Sequence, residues 1–280
     1  MTDDPVIQHD RVVAVTGAGT GIGQAIATKL GGLGWRVVVG GRRTDKLAET
    51  ADLVERAGGQ CLAHELDVTD GDSVEAFFAA AETTFGTVTA VVNNAATARY
   101  GPLDDFSPAE IAVEIATKLT GALFMARRGI QAMRREGAGG DILFMASLAA
   151  AVPWPFHLPY AAANAGVEQA ARTLRLELEG TGIRVTTLRC GETVGTDFAT
   201  KEMETGRAFD ANEQWFRMNL LRHTGFMVPD DVADAVVTAV TLPQGHQYGF
   251  MEVTPTAPVG ALPPTFEEWG AALAAKFAPE

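Results

Sequence analysis

The segment TGAGTGIG, residues Thr16–Gly23, stands between a short apolar run and an amphipathic stretch. Val12–Val15 predicts a buried strand, and Gln24–Gly34 predicts a helix. Gly17 and Gly21 permit a sharp turn between them, because glycine adopts backbone angles that other residues avoid. The helix start then offers free N–H groups and a positive dipole end to a phosphate. This strand–turn–helix context predicts a dinucleotide site. Its loop residues are Gly17, Gly19, Thr20, Gly21, Ile22 and Gly23.

Strand and helix patterns alternate along all 280 residues. Further strands are predicted at Arg36–Val39, Cys61–Glu65, Val88–Val92, Ile142–Met145, Arg184–Leu188 and Phe250–Val253. The alternation predicts an α/β fold, a single Rossmann-like domain (residues 1–280) whose doubly wound parallel sheet of about seven strands carries helices on both faces. Residues 196–225 follow the sixth strand and are expected to form a substrate lid or, equally, a helical pair that only packs. Residues 254–280 are expected to be a C-terminal tail over the surface.

Composition excludes several classes of protein. The net charge is -13 without a dense Lys/Arg cluster, which argues against nucleic-acid binding. Cys61 and Cys190 lack the spacing of a disulfide framework or a zinc site, and the histidines show no metal-ligand motif. There is no signal-peptide pattern and no apolar run of membrane-spanning length. We therefore expect a cytoplasmic protein without a metal, which acts on a small molecule.

Several motifs, in order, resemble the short-chain dehydrogenase/reductase family. Besides the glycine loop, they are Leu66–Val68 (LDV), the NNAA at Asn93–Ala96, Ser147 with Tyr160 thirteen positions later, and Gly191 at the place of the family's Pro-Gly turn. Cys190 stands where the family usually has proline. The resemblance implies cofactor contacts at Asp67, which would bind the adenine amino group, and at Val68, Asn94, Ala95 and Gly191. It also implies that Thr193 or Thr196 binds the nicotinamide carboxamide.

The end of the second predicted strand bears on the choice of cofactor. Enzymes that prefer NAD place a carboxylate there for the ribose 2′-hydroxyl. This chain has Gly41 followed by Arg42 and Arg43. Because a guanidinium forms paired, charge-assisted hydrogen bonds with a phosphate, the sequence predicts NADP(H). The alternative is a solvated basic pair at a helix start.

Two positions depart from the family's catalytic pattern. The resemblance implies that Tyr160 is the acid/base and Ser147 holds the substrate oxygen. The family's lysine, four residues after the tyrosine, is replaced by Asn164, and the asparagine of the fourth helix is replaced by Lys118. We hypothesise that the two residues have exchanged roles: Asn164 binds the ribose, and Lys118 supplies the charge that lowers the Tyr160 pKa. Alternatively, Lys118 is a surface lysine and the site is crippled.

Aromatic residues surround the predicted site and bear on the substrate. Trp154, Phe156 and His157 join Ser147 to Tyr160, and Arg99 with Tyr100 is expected to face them. Such walls suit a bulky apolar or aromatic ketone or alcohol, although these rings could equally pack in a core or an interface.

The predicted activity is NADPH-dependent carbonyl reduction; the alternative is an inactive NADP(H)-binding regulator or assembly partner. The resemblance also implies a homodimer or homotetramer.

Overall fold

The computed structural model describes residues 11–137, 139–199 and 206–276. Within these residues, seven parallel strands form a sheet in the order β3-β2-β1-β4-β5-β6-β7. The strands are β1 (Val12–Thr16), β2 (Arg36–Gly41), β3 (Gln60–Glu65), β4 (Ala90–Asn93), β5 (Gly140–Ser147), β6 (Ile183–Cys190) and β7 (Phe250–Val253). This topology confirms the predicted Rossmann-like sheet.

Helices cover both faces of the sheet. They are α1 (Gly21–Gly32), α2 (Thr44–Arg56), α3 (Gly71–Phe85), α4 (Pro108–Ile115), α5 (Gly121–Glu136), α6 (Leu158–Glu177), α7 (Arg207–Arg217), α8 (Pro229–Val240) and α9 (Phe266–Lys276). One apolar core lies between the sheet and α1, α2 and α8, and a second lies between the sheet and α3, α5 and α6. Since both faces are buried, the strands are apolar without interruption: Val13 and Val15 enter the first core, while Val12 and Ala14 enter the second.

The helical region that follows Ser107 starts with a capping box. The Ser107 hydroxyl accepts a hydrogen bond from the Glu110 backbone at 3.2 Å, and the Glu110 carboxylate accepts one from the Ser107 backbone at 2.9 Å. The helix is not uniform, because Ala116–Thr120 forms a π turn between α4 and α5. Single π turns occur mostly at functional sites, and this one carries Lys118.

A third apolar cluster joins the end of the chain to the segment after β6. Trp215 of α7 and Trp269 of α9 are 6% and 3% exposed and belong to this cluster. The predicted tail is therefore not a loose surface segment throughout, because α9 packs against α7. The predicted lid includes a 3-10 turn at Asp197–Ala199 and α7; residues 200–205 lie outside the described residues.

The order of the strands fixes where a ligand binds. β1 and β4 are neighbours, and the chain proceeds outward from them in opposite directions. In such sheets the crevice for the ligand lies beyond the carboxyl ends of the strands at this switch point. The segments after β1, β4, β5 and β6 all meet there, and they carry the motifs found in the sequence.

Candidate active site

The loop after β1 has the shape of a phosphate cradle. Gly17 and Gly21 have positive φ angles of 64° and 57°, so the turn requires glycine at both. At Gly23, a Cβ atom would lie 2.3 Å from the Gly17 carbonyl oxygen, which is why no side chain fits where α1 meets the loop. The space and the free N–H groups at the start of α1 fit a pyrophosphate.

Asn94 and Ala95 brace this loop. The Asn94 side-chain amide donates hydrogen bonds to the carbonyl oxygens of Thr16 at 3.0 Å and Gly17 at 3.2 Å. The backbone N–H groups of Asn94 and Ala95 both donate to the Thr16 hydroxyl at 3.0 Å. The NNAA motif thus shapes the glycine loop through hydrogen bonds between β4 and β1.

Charged residues gather where the adenosine half of a dinucleotide would lie. The Asp67 carboxylate accepts hydrogen bonds from the Thr69 backbone at 2.9 Å and hydroxyl at 2.7 Å. These bonds, together with the charge of nearby Arg42, hold the Asp67 pKa below its usual value. Arg43 donates to the Thr20 hydroxyl at 3.0 Å and to the Asp197 carboxylate at 2.9 Å. Both arginines therefore lie at the cofactor edge of the sheet.

The segment after β6 covers the glycine loop. The Thr193 hydroxyl donates to the carbonyl of Gly191 at 3.1 Å. The Thr196 side chain lies directly over Gly21, where an added Cβ would meet the Thr196 Cβ at 3.1 Å. Of the two predicted threonines, Thr196 is thus the one in contact with the phosphate cradle. On the other side of the sheet, Val68 packs tightly against Gly121 at the start of α5.

Ser147 and Tyr160 meet at the carboxyl end of β5. Ser147 is the last residue of this strand, and Tyr160 lies in the first turn of α6. Burial raises the pKa of the Tyr160 phenol to about 12, whereas the hydrogen bond from the Ser147 hydroxyl acts in the opposite direction. The two hydroxyls can therefore hold one oxygen atom between them.

Asn164 is fully buried one turn after Tyr160. Its amide group donates to the Tyr160 backbone carbonyl at 2.9 Å and lies near enough to the phenol to favour the phenolate. The Asn164 Oδ1 atom is buried without a hydrogen-bond partner among the described residues. A buried acceptor without a donor is rare, and a ribose hydroxyl would supply the missing donor. This orphaned oxygen fits a bound nicotinamide ribose.

Lys118 points into the protein from the π turn. It is 4% exposed, so it is not a surface lysine. Burial lowers its pKa from 10.5 to about 8, and the titratable group that acts on the amine is the Cys190 thiol. The Tyr160 phenol also interacts with Cys190. The Cys190 thiol is thus a neighbour that the amine and the phenol share.

The burial of Lys118 predicts an effect on folding that is independent of catalysis. Because its pKa in the folded state lies below 10.5, charging the amine opposes folding fully below pH 8 and not at all above pH 10.5. Lys118→Met is therefore expected to stabilise the cofactor-free protein by roughly 2–3 kcal/mol at pH 7, with the gain disappearing as pH rises toward 10.5. Urea unfolding at both pH values measures it. The control Lys46→Met, at the surface of α2, should not increase the free energy of unfolding. If Lys46→Met and Lys118→Met stabilise the protein equally, the greater hydrophobicity of methionine alone explains the effect.

A cleft of about 400 Å³ opens beside Ser147 and Cys190. Tyr100, Trp154, His157 and Trp215 line it, and His157 stacks on Tyr160 with ring centroids 4.4 Å apart. The structure thus brings three of the five predicted substrate residues together. The cleft has the apolar, aromatic lining of a small-molecule site.

Arg99 and Phe156 lie elsewhere. The Arg99 guanidinium pairs with Glu110 at 3.1 Å and covers the ring of Phe106, and it is not among the described residues that line the cleft. Phe156 packs against the third apolar cluster. Both residues belong to loops, where side-chain direction does not follow a sequence period.

Sequence reasoning gave no role to Glu114, and it placed Trp215 only within the predicted lid at residues 196–225. Glu114 is 2% exposed, and its carboxylate opposes ionisation of Tyr160. Glu114 lies four residues before Lys118, so the two side chains share one face of the helix. This spacing was the sequence signal that could have pointed to Glu114. Cys190 lines the cleft, and burial raises its pKa to about 12 although Lys118 acts in the opposite direction. A thiol with this pKa is a poor nucleophile.

Comparison with known proteins identifies the family. The family model described as short chain dehydrogenase matches residues 11–206. The chain therefore belongs to the short-chain dehydrogenase family and is an oxidoreductase of that type.

None of the helices in the described residues is long and apolar enough to cross a membrane. The same residues contain no cluster of three His, Cys, Asp or Glu side chains suited to a metal ion.

Three similar proteins place the chain within this family. It is 34% identical over 226 residues to 3beta-hydroxysteroid dehydrogenase 1 of Eggerthella lenta, covering 80% of this chain and 84% of that one. It is 31% identical over 248 residues to sulfoacetaldehyde reductase 2 of Chromohalobacter salexigens, covering 88% and 94%. The closed form of serine dehydrogenase complexed with NADP+ is 28% identical, with a TM-score of 0.76 and coverage of 89% and 98%. These names specify three chemically different substrates.

Proposed function

We propose that this chain is an NADP(H)-dependent oxidoreductase that interconverts a ketone and a secondary alcohol. The observation that carries the proposal is that the Ser147 hydroxyl lies near enough to the Tyr160 phenol to favour its ionisation, beside an aromatic cleft. A proton donor and an orienting hydroxyl on one oxygen are what carbonyl reduction requires. NADPH, when bound, supplies the hydride. In reduction, Ser147 holds the carbonyl oxygen while Tyr160 gives it a proton; in oxidation, the Tyr160 phenolate accepts the proton.

Asn164 and Lys118 complete the proposed machinery. The free Oδ1 of Asn164 accepts a hydrogen bond from the nicotinamide ribose, but the amide carries no charge. The buried Lys118 amine is the cation that favours the phenolate, since an opposite charge within ~4–6 Å lowers a phenol pKa. Glu114 and the burial of the ring act against ionisation. The balance among these groups sets the acidity of Tyr160.

The basic pair after β2 supports NADPH as the preferred cofactor. Gly41 leaves no carboxylate at the end of the strand, and Arg42 and Arg43 are exposed beside Asp67 and Thr20. The solved relative named above was complexed with NADP+. A 2′-phosphate would meet two guanidinium groups here, one of which also pairs with Asp197.

Removing the two guanidinium groups is expected to weaken NADPH binding selectively. In Arg42→Ala/Arg43→Ala, the Kd for NADPH should rise by about two orders of magnitude, because charge-assisted hydrogen bonds contribute ~1.5–3 kcal/mol each. The Kd for NADH should change by less than about threefold, since NADH lacks the phosphate. Fluorescence titration measures both constants, and Arg56→Ala, at the exposed end of α2, is the matched control. Equal losses for the two cofactors would contradict the assignment.

The lining of the cleft supports a bulky apolar or aromatic substrate. Tyr100, Trp154, His157 and Trp215 present ring surfaces that bury apolar groups. The name of one relative points to a steroid and that of another to a small polar aldehyde. Because these names disagree, the proposed substrate class rests on the residues that line the cleft.

The second candidate function is an inactive NADP(H)-binding regulator or assembly partner, which the loss of the lysine at position 164 favours. Oxidation of NADPH in the presence of a panel of aromatic ketones separates the two. The proposal expects turnover with at least one ketone, and retained turnover by the Asn164→Ala variant at a raised KM for NADPH. Tight NADPH binding without turnover of any ketone would support the regulator instead.

Two further features belong to the proposal. We place the protein in the cytoplasm as a homodimer or homotetramer whose contacts involve α5 and α6. Leu123 and Leu176 on these helices are 42% and 68% exposed, and apolar side chains of this size gain free energy when a second subunit covers them.

A further inference from the structure

Two ring nitrogens at the cleft have no hydrogen-bond partner. They are Trp154 Nε1 and His157 Nε2, both buried and unpaired within the part of the chain that the structure describes. His157 is 6% exposed, and both residues line the cleft beside Ser147. An unpaired buried polar group destabilises a protein, so two of them on one cavity wall indicate a ligand that pairs with them.

The neighbouring indoles behave differently. Trp215 Nε1 donates to the Pro155 carbonyl at 2.7 Å, and Trp269 Nε1 donates to the His223 carbonyl at 3.1 Å. These two tryptophans belong to the same aromatic cluster as Trp154, yet their N–H groups are satisfied inside the protein. The free donor of Trp154 is therefore a feature of the cleft rather than of indoles in this cluster.

The backbone holds both nitrogens in place. Phe156, between Trp154 and His157, has a φ of 66°, a conformation that a non-glycine residue adopts only when its surroundings impose it. The Phe156 carbonyl accepts a hydrogen bond from the Gly101 backbone at 2.9 Å, which ties this loop to the opposite wall. The ring of Trp154 packs edge-on against Trp215 at 5.0 Å. The loop thus presents its ring nitrogens in a fixed position.

The charges around the cleft restrict the ligand. Burial lowers the His157 pKa to about 3, so this imidazole is neutral and does not attract an anion. Among the described residues that line the cleft, the one charged side chain is Glu192, which repels carboxylates and sulfonates. The partner of the Trp154 indole N–H, which is a donor only, is therefore a neutral acceptor such as a carbonyl oxygen, and His157 Nε2 binds the same oxygen when the neutral ring carries its proton there.

The position of His157 says where this oxygen lies in the substrate. Its ring is nearly parallel to that of Tyr160, with an interplanar angle of 12°. We propose that Trp154 Nε1 and His157 Nε2 bind a second oxygen of the substrate, on the carbon next to the carbonyl that Ser147 and Tyr160 hold. The substrate class is then an uncharged aromatic vicinal dicarbonyl or α-hydroxyketone. This inference rests on the proposed carbonyl reductase function.

The test compares benzil, which has two adjacent carbonyls, with deoxybenzoin, in which a methylene replaces one of them. In Trp154→Phe and in His157→Leu, kcat/KM for benzil should fall by about five- to tenfold, the effect of one hydrogen bond, mainly through KM. For deoxybenzoin the fall should be at least about threefold smaller in each variant, because this ketone loses ring contacts but has no second oxygen whose hydrogen bond is lost. Comparing variants on the same ketone removes the greater intrinsic reactivity of benzil.

Two further variants separate recognition from structure. His157→Gln keeps an N–H group at a similar reach and should restore most of the benzil rate that His157→Leu loses. Trp215→Phe removes an indole whose N–H is already paired and should affect both ketones by the same factor. If the wild type reduces both ketones but Trp154→Phe lowers the two rates equally, the inference is wrong and the reductase function stands. If the wild type reduces neither, the proposed function itself fails.

Discussion

Lys118→Met is expected to lower the rate of alcohol oxidation by about 10- to 10³-fold, because a cation near the phenol lowers its pKa by ~1–3 units. The phenol is buried and close to Glu114, so both surroundings oppose its ionisation. Lys118 is the buried cation of this region, and Asn164 has replaced the residue that would otherwise supply the charge. The Kd for NADP+ should change little, since the amine acts on the phenol.

A double exchange provides the matched control for this prediction. Lys118→Asn/Asn164→Lys returns both positions to the identities of the family pattern that the sequence resembles. If Lys118 supplies the charge, the double variant should recover much of the activity that Lys118→Asn loses. Near-normal oxidation by Lys118→Met would contradict the account directly. Loss in every variant, together with lost NADP+ binding, would assign Lys118 a structural role.

The pH dependence of the oxidation rate shows in which direction Lys118 shifts the Tyr160 pKa. Oxidation requires the phenolate, so its rate rises with pH through the apparent pKa of Tyr160 in the cofactor complex. Without the Lys118 charge this pKa is higher, and the rising limb should move to higher pH in Lys118→Met. Reduction uses the protonated phenol. The substitution leaves the phenol protonated at neutral pH. The variant should therefore lose less rate in reduction at pH 7 than in oxidation.

Tyr160→Phe is expected to have the largest effect of all, a loss of at least about 10³-fold in both directions. General acid–base catalysis by a positioned side chain contributes ~10²–10⁴-fold, and the Tyr160 phenol is the titratable group that interacts with Ser147. The ring stack with His157 remains in phenylalanine, so folding and NADPH affinity should be retained. Steady-state kinetics and fluorescence titration measure these quantities, and Tyr248→Phe, at the surface, serves as the control.

The rate losses caused by Lys118→Met and Tyr160→Phe should not multiply when the two substitutions are combined. If Lys118 acts only through the phenol, then Lys118→Met/Tyr160→Phe is no slower than Tyr160→Phe alone, because residues that act as a unit show non-additive losses. A double variant slower by the product of the two single losses would mean that the amine has a separate role in catalysis.

Much of the fold follows from local sequence. The glycine loop between an apolar run and an amphipathic stretch specifies a strand, a turn and a helix, and the other buried strands read as continuous apolar runs for the same reason. The capping box at Ser107 was likewise visible as a serine followed by Glu110. α9 was missed because it follows a proline-rich stretch, and its packing depends on the contact of Phe266, Trp269 and Leu273 with the third cluster.

The candidate site was less predictable, for geometric reasons. Ser147 and Tyr160 were paired through the resemblance to the family, because the chain keeps the family's spacing of thirteen positions between them. The π turn that carries Lys118 has no sequence signature in ATKLT, and the direction of the amine depends on it. Arg99 was expected at the cleft but pairs with Glu110, since loop side chains follow tertiary contacts rather than a period. The unpaired nitrogens of Trp154 and His157 are visible only in three dimensions.

The most direct test of the central claim is the pKa of Tyr160 itself. The chain has three tyrosines, so carbon-13 labelling at Cζ gives three resonances, and Tyr160→Phe assigns the one of interest. With NADP+ bound, the account predicts that Tyr160 titrates at least about one pH unit lower in the wild type than in Lys118→Met. The same pKa in both proteins would show that the Lys118 ammonium does not act on the phenol.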